Sequence, residues 1–124
     1  MGRITKSMRL NVPPNIAYDL IKEHFWRKWI RIYCADLLRS LLVDYTLIED
    51  VPDSKVVFVA SRWKLFRTEE TFIIEPLGST RCEITIEVKF RAISGSSAKA
   101  HVTEVIGCML MLERGFNAGT KFGR

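Results

Sequence analysis

Hydrophobic and polar residues change their spacing once near the start of the chain, and prolines mark the change. From Arg3 to Leu10, Ile4, Met8 and Leu10 alternate with Arg3, Ser7 and Arg9, the period of a half-buried strand. After Pro13 and Pro14, the residues Ile16, Ala17, Leu20, Ile21, His24 and Phe25 recur at helical spacing. Proline presets φ for a first helical turn and has no N–H for a central ladder. The pattern predicts a strand over about 3–11 and a helix from Pro14 to Phe25. The next segment, WRKWIRIYCADLLRSLL, also reads as helical. Trp26, Trp29, Ile30, Tyr33, Leu37, Leu38, Leu41 and Leu42 recur at three- and four-residue steps. No Gly or Pro interrupts it, so one long helix and two helices joined near Trp26 are both compatible with the pattern.

From Val43 the pattern turns to β. DYTLIED and KVVFVASRW are rich in β-branched and aromatic residues, and the VPDS between them has turn chemistry. In the second of these runs either Val56 and Phe58 or Val57 and Val59 face inward. TEETFIIE forms a third strand, ending at Pro76, and PLGS supplies the turn after it. In the fourth strand Cys82, Ile84, Ile86, Val88 and Phe90 alternate strictly with charged and polar residues, as in an antiparallel sheet with one wet face. SGSS at 94–97 is a loop, and Ser97 is placed to cap a final helix. On that helix Ala98, Val102, Val105, Met109, Leu112 and Phe116 form an apolar stripe, widened by Ile106, Leu110 and Met111. The order is a strand, one or two helices, four antiparallel strands and a long C-terminal helix. The last helix must cover the inner face of the sheet, so the economical α+β solution is a curved sheet wrapped around it.

Composition adds bounds. With 124 residues, 48% hydrophobic and 27% charged, the chain fits one globular domain with a core of its own. We assign residues 1–116 to that domain and residues 117–124 to a flexible tail. No apolar run reaches the ~18 residues that a membrane span needs. The N-terminus lacks an apolar h-region, so the expected location is cytoplasmic. Cys34, Cys82 and Cys108 are far apart and odd in number, which favours reduced, unbridged thiols over a disulfide framework or a metal site. The net charge of +5 is concentrated early. Residues 1–39 hold eight Lys/Arg against three Asp/Glu, whereas residues 40–124 hold eleven of each. This surplus either attracts an anionic partner or forms a solvated face.

Three stretches together resemble the START-like or SRPBCC superfamily, the helix-grip fold shared by polyketide cyclases and lipid-transfer START domains. MRLNVPPNIAYDLIKEHFWRKWI is similar to that family's opening strand, proline-marked turn and helix. TFIIEPLGSTRCEITIEVKF is similar to its late hairpin, and HVTEVIGCMLMLERGF to its closing helix. The resemblance covers about half of the chain. It implies a cavity between the sheet and the C-terminal helix, with no shared catalytic motif and no cofactor.

The candidate site rests on both lines of reasoning. Inward strand residues Phe58, Phe72, Ile74, Ile86 and Val88 oppose Val105, Met109 and Leu112 of the last helix, with Trp29 and Tyr33 nearer the mouth. The expected ligand is a small apolar or amphipathic molecule, lipid- or polyketide-like. If Phe72 and Ile74 face inward, Thr68 and Glu70 do so too; the other parity brings Arg67 and Glu69 inside. Glu70 is then either an acid or base for a cyclase- or aromatase-type reaction or a carboxylate paired with a basic residue. His101 is either a proton shuttle or a hydrogen-bonded histidine near a helix start. The two histidines have no carboxylate at ligand spacing, so no metal is expected. Trp26, Arg27, Lys28, Trp29 and Arg31 mix aromatics with cations. They fit a pocket wall, or nucleic-acid or anionic-membrane binding through the basic N-terminal half. No specific nucleic acid is expected, and no residue set assembles an activated nucleophile.

Overall fold

The proline switch becomes a strand and a helix. Strand β1 covers Gly2–Leu10 and helix α1 covers Pro14–Phe25. The N–H groups of Ile16 and Ala17 both donate to the Pro13 carbonyl, at 3.1 and 3.0 Å. Pro14, lacking an N–H, thus occupies a first-turn position where none is needed. A computed structural model describes residues 2–25, 29–34, 39–62, 66–91 and 95–117. After α1 come β2 (Trp29–Cys34), β3 (Arg39–Val51), β4 (Lys55–Arg62), β5 (Phe66–Pro76), β6 (Cys82–Arg91) and helix α2 (Gly95–Asn117).

The six strands form one sheet in the order β1-β6-β5-β4-β3-β2, and every pairing is antiparallel. α2 packs against β1 and β6 and also touches β2. Contact with both edge strands means that the sheet curls around the helix, the helix-grip arrangement. α1 packs against β4, β5 and α2.

The helical expectation fails at Trp29–Cys34 and from Arg39 onward, while Trp26, Leu37 and Leu38 lie outside the described residues. Trp29–Cys34 is a strand, and Arg39–Leu42 begins another, paired from Trp29↔Asp44 to Cys34↔Arg39. Neither a continuation of α1 nor a second helix occupies these residues. WIRIYC also fits a two-residue period, and a segment apolar on several sides matches both templates. Its β-branched and aromatic residues favour the pleated form once a partner strand is present. Among the described residues five strands therefore come after α1, where four were expected.

The core is one apolar cluster. It joins Met8 and Leu10 of β1, Ala17, Leu20 and Ile21 of α1, inward residues of β4–β6, and Val102, Val105, Met109 and Leu112 of α2. Phe58 and Phe72 meet edge to face, with centroids 5.9 Å apart. In β4 the inward residues are Val56, Phe58 and Ala60, yet Val57 and Val59 are buried as well. They lie on the opposite face, flanked by Glu49 and Thr71, and by Thr46 and Glu69, on the neighbouring strands.

A β-bulge between Leu47 and Glu49 decides how α1 is held. It leaves Ile48 as the extra, exposed residue and reverses the parity of the rest of β3. Asp50 thereby pairs with the inward-facing Val56 and reaches α1. It accepts hydrogen bonds from the Tyr18 hydroxyl and from Lys22 Nζ, the latter at 2.6 Å. The Lys22 ammonium also lies 5.2 Å from the Tyr18 ring centroid. At the same end of the sheet, the Glu113 carboxylate near the C-terminus of α2 accepts the Asn11 N–H, tying the helix to the proline turn. α1 thus closes the end of the half-barrel nearest the β3–β4 turn.

α2 extends to Asn117, one residue into the expected tail; residues 118–124 lie outside the described residues. Among the described residues, no helix is long and apolar enough to cross a membrane.

Candidate functional site

Inward residues of β5 and β6 are even-numbered, because the strict alternation of β6 fixes its register against β5. That parity brings Thr68 and Glu70 inside together with Phe72 and Ile74, and leaves Arg67 and Glu69 on the outer face. Thr68 is flanked by Ala60 and Phe90, and Glu70 by Phe58 and Val88. All four neighbours are buried apolar residues, so a carboxylate here needs a partner brought from outside the sheet.

α2 supplies it. His101 lies four residues before Val105 on the helix, beside the buried stripe. Its Nε2 is 2.9 Å from Glu70 Oε1. Thr68 Oγ1 donates to Glu70 Oε2 at 3.4 Å, a long and weak contact. The Glu70 side chain is 1% exposed and that of His101 is 15% exposed. The pair therefore runs from the sealed interior to a partly wet rim. Burial pushes the imidazole pKa down, but the charge of Glu70, its hydrogen bond and the charge of Glu104 outweigh this and hold it above the usual value. Glu70 thus favours the protonated form of the histidine. The contact also fixes Nε2 as the nitrogen facing the carboxylate.

Glu70 and His101 are 31 residues apart, and the structure brings them into direct contact. The remaining expected lining residues, Phe58, Phe72, Ile74, Ile86, Val88, Val105, Met109 and Leu112, all belong to the core cluster. Those nearest α1 form a packed floor, and Glu70 and Thr68 sit toward the opposite end of the sheet. Trp29 and Tyr33 lie on β2 rather than on a helix, and their side chains lie outside the described residues.

The polar network at the α1 end is separate. Hydrogen bonds from Lys22 and Tyr18 hold the Asp50 carboxyl below its usual range. The same Asp50 contact raises Lys22 and Tyr18. Cys82, buried near Glu113, has its thiol pushed up to about 11. Cys82 is buried, Cys108 is exposed, and both are free thiols. The Cys34 side chain lies outside the described residues. Among the described residues, no His, Cys, Asp and Glu cluster is arranged to hold a metal ion.

The basic surplus of the N-terminal part is partly matched by acids. Arg3 lies 3.8 Å from Glu87, Arg9 lies 3.5 Å from Glu83, and Lys22 contacts Asp50. The side chains of Arg27, Lys28, Arg31 and Arg39 lie outside the described residues.

The sequence matches no protein-family model and no curated protein. Its structure matches solved ones over nearly the whole chain. A START superfamily protein from Mycobacterium smegmatis superposes with a TM-score of 0.66 at 12% identity, over 95% of this chain and 99% of that one. The di-domain ARO/CYC BexL from the BE-7585A biosynthetic pathway gives 0.63 at 13% identity, over 94% of this chain and 47% of that one. The Aha1 dimer from Colwellia psychrerythraea gives 0.63 at 13% identity, over 93% and 96%. At such identities the likeness shows the fold alone: this chain has the START/SRPBCC-like helix-grip fold.

Proposed function

We propose that this protein binds a small amphipathic molecule, lipid- or polyketide-like, between the sheet and α2. Its apolar part meets inner-face residues such as Phe58, Val88 and Val105, and its polar group meets Glu70 and His101. The observation that carries this reading is the buried carboxylate–imidazole pair set among apolar side chains. A pair of this kind is weak as a source of stability. A few convergent polar groups in apolar surroundings are what fixes a ligand's orientation. Access is at the His101 end, because α1 closes the other. The solved relatives named as a START superfamily protein and as an ARO/CYC support a ligand-binding use of the fold. The free thiols of Cys82 and Cys108 fit a reducing compartment such as the cytoplasm.

Native mass spectrometry of the purified protein tests the reading directly, by the mass of a copurifying lipid or polyketide-like molecule. An environment-sensitive apolar dye gives a second test. It binds the folded protein and is displaced when Val105→Trp fills the space beside the pair, with circular dichroism confirming that the fold persists. Undiminished dye binding in that folded variant would place the ligand elsewhere.

A second reading, a proton-transfer enzyme of the cyclase or aromatase kind, has the 2.9 Å Glu70–His101 contact in its favour. A carboxylate that fixes one imidazole nitrogen leaves the other able to exchange protons. Turnover lost in Glu70→Gln or His101→Ala with ligand affinity retained would establish it over binding alone.

A further inference from the structure

The polar end of the ligand can be specified from the acceptors that the protein leaves unused. A carboxylate has about four lone-pair sites. Among the described residues, Glu70 Oε1 meets His101, and Oε2 meets only the Thr68 hydroxyl at 3.4 Å. Glu70 is nevertheless fully buried, where an undersatisfied acceptor is costly. Thr68, also buried, spends its single proton on this long contact. Among the described residues the site is therefore short of donors and not of acceptors.

Charge narrows the choice further. Glu70 and a protonated His101 sum to zero, and the cross-strand neighbours Phe58, Val88, Ala60 and Phe90 are apolar. An added ligand charge would be buried without a counter-charge, which is severely unfavourable. An anion would also face Glu70, with Glu104 acting on the same histidine.

We propose that the molecule bound here is an uncharged alcohol, whose hydroxyl donates to Glu70 Oε2 while its apolar body lies against the inner face of the sheet. This rests on the binding reading above and adds the identity of the head group. The donor completes the carboxylate's coordination in place of the weak Thr68 contact. An ether offers no proton, and a carboxylic acid is an anion at neutral pH.

Displacement of an apolar dye by four probes of similar length tests this: octan-1-ol, its isomer heptyl methyl ether, octanoate and octylammonium. Octanol should bind about tenfold or more tighter than the ether, the scale of one hydrogen bond to a charged acceptor. Octanoate and octylammonium should both bind more weakly than octanol. In Glu70→Gln the amide can keep its oxygen toward His101 and turn its NH₂ toward the Thr68 side. The octanol-to-ether ratio should then fall to about one or reverse. Thr68→Val removes the competing hydroxyl and should raise octanol affinity. Ether or octanoate matching octanol, octylammonium exceeding it, an unchanged ratio in folded Glu70→Gln, or weaker octanol binding in Thr68→Val would overturn the proposal. Should Glu70→Gln fail to fold, the probe ranking on the parent and the Thr68→Val result decide it. Dye binding without this ranking refutes the alcohol assignment alone. No binding of the dye or any probe refutes the ligand-binding reading beneath it as well.

Discussion

His101→Ala removes the short partner of a fully buried carboxylate. Among the described residues Glu70 then keeps only the Thr68 hydroxyl at 3.4 Å. Leaving one member of a buried ion pair uncompensated costs about 3–5 kcal/mol. The 15% exposure of His101 lets water into the vacated space, which places the expectation at the lower end, about 3 kcal/mol. For 124 residues, an unfolding entropy of roughly 2.1 cal/mol/K per residue amounts to about 0.26 kcal/mol/K, so Tm should fall by about 12 °C. Glu70→Gln removes the charge but keeps groups able to meet both partners, and should cost only about 1 kcal/mol. The Glu70→Gln/His101→Ala double variant should therefore be more stable than His101→Ala alone, because no charge is left stranded. Urea unfolding followed by circular dichroism near pH 6 measures all three. A His101→Ala variant within about 1 kcal/mol of the parent, or a double variant less stable than it, would refute the reasoning.

The same pair sets a pH dependence. The folded protein holds the His101 proton more tightly than the unfolded chain does. The contribution is thus complete below the unfolded value of 6.5 and is lost as pH rises through the higher folded value. The stability gap between parent and His101→Ala should narrow from neutral to alkaline pH, and a gap that widens would contradict the pairing. Met109→Asp, at a fully buried position on α2, should prevent cooperative unfolding by heat or urea altogether; a Tm near the parent's would remove α2 from the core. Asp50→Asn should cost no more than about 1 kcal/mol, because the Lys22–Asp50 side chains are about 30% exposed. Its effect belongs above pH 3.8 and fades as acid protonates Asp50 through its lowered folded value, which acid titration of both proteins would display. In native protein a thiol reagent should label Cys108 quickly and Cys82 only on unfolding, whereas equal rates would contradict the burial of Cys82.

Legibility in the sequence tracks periodicity. β6 is plain because one face is wet and the other dry, and α2 because its stripe meets one surface. β1 and the proline start of α1 are equally readable. β2 and the start of β3 are not. WIRIYC and the leucines after it satisfy helical and strand spacing alike, and what selects the strand is a partner strand that no local pattern reveals. β4 shows the related difficulty: Val56–Ala60 is buried on both faces, so alternation disappears and parity is set only by Phe58 opposite Glu70. The bulge at Ile48, which delivers Asp50 to α1, has no Gly or Pro to announce it. Thr68, Glu70 and His101 are each visible as candidates. Their meeting depends on how far α2 descends into the sheet, a three-dimensional quantity that spacing along the chain does not contain.

The strand order also imposes a timetable. From β2 to β6 every strand pairs with its neighbour in sequence, so that part of the sheet can assemble hairpin by hairpin. β1 cannot join it, because its partners begin at Cys82 and end at Phe90. On a ribosome adding roughly 5–20 residues per second, the first strand waits about 4–16 s for its mate. Closing a loop that long is entropically slow and makes the register Gly2↔Phe90 to Leu10↔Cys82 a late event in folding. Until then the inner residues Met8 and Leu10 are uncovered and the edge of β6 is open. The nascent chain is accordingly most exposed to misassociation just before its last helix arrives.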